Sequence, residues 1–164
     1  MPLVAVVADT HLPRGARRLP SECVTRLEAA DLVLHAGDMT GAGFLEELRR
    51  LGPPVHAVRG NADEPDVAAA LPAELVVEVG GVRIAVTHAP GPSAGREARL
   101  VGRFPGCDAV VFGHTHVPYA TRVAGVWLLN PGSPTERRRA PTRAMLELEV
   151  RDGAIRPRPV ELAA

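Results

Sequence analysis

Leu3-Val4-Ala5-Val6-Val7-Ala8-Asp9-Thr10-His11 is the stretch that decides the fold. Six apolar residues run without a polar interruption and stop at a carboxylate. A half-exposed strand alternates apolar and polar side chains. An unbroken Val-rich run reads instead as a strand buried on both faces, the kind found at the centre of an α/β sheet. Working outward, residues 21–29 have helical spacing with Ser21 as N-cap. Residues 31–36 form a second buried strand closed by Gly37-Asp38, and residues 43–51 a second amphipathic helix stopped by Gly52-Pro53-Pro54. Residues 55–58 form a third strand, closed by Arg59-Gly60-Asn61. Strand, helix, strand, helix, strand specifies an α/β unit with right-handed crossovers.

The second half changes character. Residues 75–79 and 82–87 flank Gly80-Gly81, a hairpin signal. The His88-Ala89-Pro90-Gly91-Pro92 segment is loop. A helix follows over residues 93–104 and a strand over residues 109–112, closed by Gly113-His114. Two further hairpins are expected, residues 121–123 with 126–129 around Ala124-Gly125, and residues 143–150 with 154–160 around Asp152-Gly153. Two mixed sheets packed face to face, with helices outside, accommodate both halves.

The chain has 164 residues, enough for one domain over residues 1–164 with a sizeable core. It is 46% hydrophobic, too apolar for a disordered chain, but only 3% aromatic, so the core must be built from Val, Leu and Ala. Scarce aromatics argue against stacking on single-stranded nucleic acid. Nineteen basic residues, all Arg, balance nineteen acidic ones, so no net field favours nucleic acid or an anionic membrane. The lack of Lys excludes a Lys nucleophile or Schiff base. Cys23 and Cys107 have neither metal-knuckle nor disulfide-framework spacing and are read as buried thiols. No basic leader segment precedes the first strand, and no apolar run approaches the ~20 residues that span a bilayer, so a cytoplasmic location is expected.

Chemistry concentrates where strands end: Asp9-Thr10-His11, Gly37-Asp38, Gly60-Asn61, Thr87-His88 and Gly113-His114-Thr115-His116. In open α/β sheets ligands gather outside the carboxyl ends of the strands, so these segments converge on one rim. Each alone has an ordinary reading: Asp after a strand as a helix cap, Gly-Asp and Gly-Asn as turns, His88 as a surface histidine. Together, and each at a strand end, they supply the carboxylate, imidazole and amide oxygen that suit Mn, Fe or Zn. The glycines before Asp38, Asn61 and His114 permit tight turns and close backbone approach. Asn130-Pro131-Gly132-Ser133 is a further loop that could present backbone N–H groups to phosphate. Asp63 either orients a ligand or caps a turn, and His35 and His56 read as hydrogen-bonded core histidines. Arg137, Arg138 and Arg139 either clamp a second phosphate or the distal part of the substrate or, the commoner case for a charge run, form a solvated loop. Arg96 and Arg99 are weaker candidates for a substrate clamp.

The order Asp-x-His, Gly-Asp, Gly-Asn-x-Asp, His, Gly-His-x-His resembles the calcineurin-like metallophosphoesterase superfamily. The short Asn61-Ala62-Asp63 form and the Asn-Pro-Gly-Ser segment resemble its compact prokaryotic phosphodiesterase branch. The resemblance covers residue 3 to about residue 148. It implies a four-layer αββα sandwich of two mixed β-sheets flanked by helices, with a dimetal site at the sheet edge. It implies that Asp9, His11 and His116 hold one metal, that Asn61, His88 and His114 hold the other, and that Asp38 bridges them. The metals would lie ~3.5–4 Å apart and a bridging hydroxide would attack phosphorus in line. Asp38 and Asn61 are the catalytic candidates, the Asn61 amide helping to hold the phosphoryl oxygens. The expected cofactors are two divalent ions, manganese first, with Fe, Zn or Ni as alternatives.

One departure matters. Many members carry His after the Asn, as the proton donor to the leaving group; this chain has Ala62. The resulting expectation is a hydrolase of phosphodiesters with a small, nucleotide-like substrate. A phosphomonoesterase or nucleotide pyrophosphatase is the alternative enzyme. The alternative from another class is an interaction scaffold like the small subunit of retromer, which shares the fold. A homodimer is the fold-level expectation for assembly.

Overall fold

The computed structural model describes residues 1–15 and 17–163. Its first sheet has the order β10-β9-β1-β2-β3, built from Ala154–Leu162, Arg143–Arg151, Leu3–Val7, Leu32–His35 and Val55–Ala57. The second has the order β4-β5-β6-β8-β7, built from Glu74–Val79, Val82–Thr87, Ala109–Val111, Val126–Asn130 and Tyr119–Val123. Both sheets are mixed: β1 runs parallel to β2 and antiparallel to β9, and β6 lies parallel to both β5 and β8.

Alternation along β1 explains its unbroken apolar run. Val4, Val6 and Ala8 point between the sheets, where they meet Leu34, Ile84, Val86, Val111 and Leu148. Ala5 and Val7 point the other way, against the helices α1 (Ser21–Glu28), α2 (Ala42–Arg49) and α3 (Pro65–Ala70) through Cys23, Leu27, Phe44, Leu48 and Val67. The second sheet is covered by α4 (Arg96–Arg103) through Leu100, with Phe104 and Cys107 beside it. The layers are therefore helix, sheet, sheet, helix, as expected. Every residue from Val4 to Ala8 has no exposed surface. With both faces covered, burying one such Val side chain is worth about 1.5–3 kcal/mol.

The hairpin turns take the conformation their dipeptides favour. Gly80-Gly81, Ala124-Gly125 and Asp152-Gly153 each place two successive residues at positive φ, the type I′ geometry that matches strand twist.

Four details differ from the expectations. Ser21 is the first residue of α1 and makes no capping bond; Pro20 precedes it. The helix expected over residues 93–104 begins only at Arg96, because Gly95 sits at φ 68°. Helix α3 is an unexpected element, started by Pro65 at its first position. His56 is exposed, not a core histidine, because β3 is an edge strand paired only with β2.

Candidate metal centre

Backbone pairing continues past the strand ends and locks the loops together. Asp9 N–H donates to Gly37 O (2.9 Å), His11 N–H to Asp38 O (3.0 Å) and Gly113 N–H to His88 O (3.1 Å). Three glycines then allow the loops to close. A Cβ on Gly60 would lie 2.1 Å from Asp38 Oδ1, one on Gly37 2.6 Å from His88 Nδ1, and one on Gly113 2.8 Å from Ala36 O. Only a residue without a side chain fits at these three positions.

All seven residues named as candidate ligands arrive at one rim. His116 Nε2 is 3.4 Å from Asp9 Oδ1, and the His11 and His116 rings stack at 5.3 Å between centroids. Asp38 Oδ2 stands 3.7 Å from His11 Nε2 and 3.4 Å from His88 Nε2, between the two imidazole sets. Asn61 Oδ1 lies 2.9 Å from His88 Nε2 and 3.0 Å from His114 Nδ1. One ligand atom from each of Asp9, His11 and His116 falls within 4.8 Å of the others, and the same holds for Asp9, Asp38 and His88. Asp9 thus reaches both groups. Asp9, His11, Asp38, His88 and His116 are buried, whereas Asn61 and His114 are exposed. Access is from the Asn61 and His114 side.

The donor chemistry fits cations. His88 Nδ1–H donates to Ala36 O (2.8 Å). In the neutral ring this leaves Nε2 as a lone pair, facing an amide oxygen and a carboxylate oxygen. Acceptors crowd together this way when a cation belongs between them. His11 Nδ1 and Nε2 and His116 Nδ1 are enclosed without a hydrogen-bond partner among the described residues.

Electrostatics agree. Burial raises Asp9 to about 7, helped by the Asp38 charge and opposed by His88 and the His114 N–H. Burial also works to raise Asp38, but the His88 hydrogen bond, the Ala62 N–H and the nearby imidazoles prevail and bring it down to about 2. Burial lowers His11 and His114, and takes His116 to about 4 with the Arg138 charge assisting. Burial pulls His88 down too, yet Asp38 and Asp9 outweigh it and hold it above its ordinary value. Three of the four imidazoles are therefore neutral near pH 7, the form a metal requires.

Residues outside the expected set brace the loops. Thr10 and Gly37 are linked through His35, which is fully buried. Its Nδ1 accepts Gly37 N–H (3.1 Å), so its Nε2–H donates to Thr10 Oγ1 (3.0 Å), and burial holds its value down at about 3. Asp63 accepts Thr40 N–H (2.8 Å) and Gly60 N–H (2.6 Å), tying the Asp38 loop to the Asn61 loop. The Asn130–Ser133 loop turns its side chains inward. Asn130 Nδ2 donates to Gly113 O and Thr115 Oγ1, and Ser133 Oγ donates to Asp9 O (2.8 Å). Arg96 and Arg99 are spent on the carbonyls of Pro90, Gly91, Pro92 and Ala94. Glu136 went unremarked in the sequence: its Oε2 faces His116 Nδ1 at 3.8 Å, behind the metal-facing nitrogen. The Asp63 role was foreseeable from its place two residues after Asn61, and His35 is the hydrogen-bonded core histidine expected from its apolar strand.

Known proteins are similar to this chain in sequence and fold. The chain is 36% identical over 153 residues to a probable metallophosphoesterase of Methanocaldococcus jannaschii, covering 92% of this chain and 77% of that protein. The solution structure of Thermotoga maritima TM1076 superposes with a TM-score of 0.78 at 31% identity, covering 99% of this chain and 100% of that one. A zinc complex of Entamoeba histolytica Vps29 superposes at 0.76 with 26% identity, covering 97% and 98%. The model of the calcineurin-like phosphoesterase superfamily domain matches residues 3–153, and the chain belongs to that family.

Proposed function

We propose that this chain is a two-metal phosphodiesterase, with manganese as the working ion. Asp9, His11 and His116 hold one cation, Asn61, His88 and His114 the other, and Asp38 lies between. The reading is carried by the convergence of His88 Nε2, Asn61 Oδ1 and Asp38 Oδ2, an imidazole nitrogen 2.9 Å from an amide oxygen and 3.4 Å from a carboxylate oxygen. A divalent pair bound there supplies a nucleophile from water at neutral pH and offsets charge on the phosphoryl oxygens.

The chain's own groups do the rest. With Oδ1 turned to the imidazoles, Asn61 has its Nδ2–H2 available to donate to a phosphoryl oxygen. Ala62 N–H fixes Asp38 through Oδ1 (2.7 Å), keeping Oδ2 directed between the two imidazole sets. Preference for diesters rests on Ala62. A monoester reacts through a loose transition state that places much of the charge on the leaving oxygen. That oxygen most needs a proton, and a methyl side chain offers none.

The test combines metal analysis with turnover. Manganese-loaded protein is assayed on a bis-aryl phosphodiester and an aryl monoester, alongside Asp38→Ala and chelated, reloaded wild type. Two metals per chain, faster diester hydrolysis, loss in the variant and recovery on reloading are expected. Less than one metal per chain at saturating manganese refutes the site. Metal uptake without turnover of either ester refutes the enzyme and leaves a binding module, since a Vps29 has itself been solved with zinc.

A further inference from the structure

Charge balances over the whole chain but not beside the metal centre. Arg17 and Arg18 come together with Arg137, Arg138 and Arg143, against two carboxylates, Glu136 and Glu22. Glu22 already accepts from Arg26, and Arg14 and Arg139 lie close by in sequence. The two segments meet: Arg17 Nη2 lies 3.3 Å from Glu136 Oε1, and Thr135 Oγ1 donates to Thr10 O (2.8 Å). Two hollows of about 550 and 540 Å³ share Thr135 and Arg143 as lining. Arg17 and Arg18 line the first, Arg137 and Arg138 the second. Adjoining at Thr135 and Arg143, they make a basic groove whose wall at Glu136 lies 3.8 Å from His116 Nδ1.

Most of this charge is unspent. Arg138 Nε engages Glu136 Oε1 (3.3 Å), and Arg137 Nη1 makes one long contact to Pro141 O (3.4 Å). Arg14, Arg18, Arg139 and Arg143 have no side-chain hydrogen bond or ion pair among the described residues. Arg17 Nη1 is enclosed without an acceptor among them. Arg138 holds a left-handed backbone, φ 45°, and its charge is felt at Asp9, His11, His114 and His116. The arginines on the other side of the centre, Arg96 and Arg99, already have carbonyl partners. The excess is one-sided and lies across two facing segments, unlike a solvated charge run. Guanidinium forks suit phosphate oxygens.

We infer that this groove binds a second phosphate of the substrate. This rests on the phosphodiesterase reading above. It narrows the substrate to nucleotide-like molecules with at least one more phosphate near the scissile one. That phosphate arrives either through a pyrophosphate link or from the next nucleotide of a short strand.

The test is binding calorimetry on manganese-loaded protein with thymidine 5′-phosphate, thymidine 5′-diphosphate and thymidine 3′,5′-bisphosphate. At least one doubly phosphorylated ligand is expected to bind tenfold tighter or more than the monophosphate, with the gap narrowing as salt rises. The tighter of the two identifies the source of the second phosphate. Combined Arg18→Ala, Arg137→Ala and Arg143→Ala closes the gap. Combined Arg49→Ala, Arg151→Ala and Arg156→Ala, an equal loss of charge on other faces, leaves it open. Equal affinities in wild type, or a gap that survives the groove variant, overturn the inference. Ester hydrolysis with no gap refutes the groove alone; a gap without hydrolysis refutes the phosphodiesterase reading alone.

Discussion

Replacing Gly60 with Ala isolates the close packing that lets the Asn61 loop sit on Asp38. Gly60 does not have a positive φ, so Ala brings no backbone strain and the effect is purely steric. The new Cβ would lie 2.1 Å from Asp38 Oδ1 and 2.4 Å from Asp38 N. To regain ordinary contact at 3.4 Å, the oxygen must retreat by about 1.3 Å. It cannot do so freely. Asp38 Oδ1 accepts Ala62 N–H, and the Asp38 carbonyl accepts His11 N–H. Overpacking of this kind costs about 1–3 kcal/mol. For a domain of this size that lowers Tm by roughly 2–12 °C. Metal sites tolerate about 0.2 Å in ligand distance. A shift several times larger is expected to weaken manganese binding by at least the ~10–100-fold seen on disturbing groups that support ligands.

The assay is a graded series read by thermal unfolding and metal titration. Gly43 lies in α2 with nothing within 4 Å of its Cβ position. Gly43→Ala should stabilise by about 0.5–1 kcal/mol and leave manganese affinity unchanged. Gly113→Ala, with its nearest clash at 2.8 Å, should fall between the two. Wild-type Tm and wild-type affinity in Gly60→Ala would refute the reasoning. So would an ordering of the three variants that ignores clash distance.

Three further outcomes are expected. Glu136 faces His116 Nδ1 at 3.8 Å and acts on it through charge, so Glu136→Gln, which keeps the shape and loses the charge, should weaken manganese binding ~10–100-fold, as should Glu136→Ala; wild-type affinity in the Gln variant would remove the electrostatic role. His35, neutral in the fold at about 3 against an ordinary 6.5, makes stability fall as pH drops from 6.5 towards 3, at about 1.4 kcal/mol per unit. Above pH 6.5 its contribution is complete, and denaturant titrations of His35→Gln across that range should show a shallower slope, a parallel slope counting against it. Ala62→His puts a proton donor on a half-exposed position beside Asn61 and should raise turnover of an alkyl phosphodiester at least ~10-fold with metal content preserved; no gain would show that the proton has another source.

What could be read in advance followed from physics that acts locally. Burial on both faces makes β1 and β2 unbroken apolar runs, and Gly-containing dipeptides demand the hairpin turns, so the two sheets were legible. The seven candidate positions were legible because Asp9 and His88 close apolar strands, Asp38, Asn61 and His114 each follow a glycine, and His11 and His116 stand two residues after Asp9 and His114. Glu136 was not: it sits in a run of arginines, and its partner His116 is brought to it only by the packing of two loops. Helix α3 was hidden because six residues starting at Pro65 are too few for a periodic pattern. His56 looked like a core residue because an edge strand cannot be told from a central one by three residues. The groove was legible only in part: Arg137, Arg138 and Arg139 stand out as a charge run, but whole-chain neutrality gives no sign that folding brings Arg17, Arg18 and Arg143 beside that loop.

The strain pattern shows how far the centre is organised by protein alone. Outside glycine, positive φ occurs among the described residues at Asp9, His11, Asp38, Thr40, His114 and His116, as well as at Arg138 and in two hairpin turns. Such conformations cost of order 1–3 kcal/mol each and persist only where the surroundings over-determine them. Here the surroundings are identifiable. His35 and Asp63 tie the Asp38 turn to its neighbours, Ser133 holds Asp9 O, Thr135 holds Thr10 O, and Asn130 holds Gly113 O. Each bond is worth about 0.5–1.5 kcal/mol net, the same order as the strain it opposes. Removing one brace should therefore relax one loop instead of unfolding the chain. Asn130→Ala, which frees Gly113 and Thr115, should weaken the binding that depends on His114 and His116 while Asp38 and His88 keep their places.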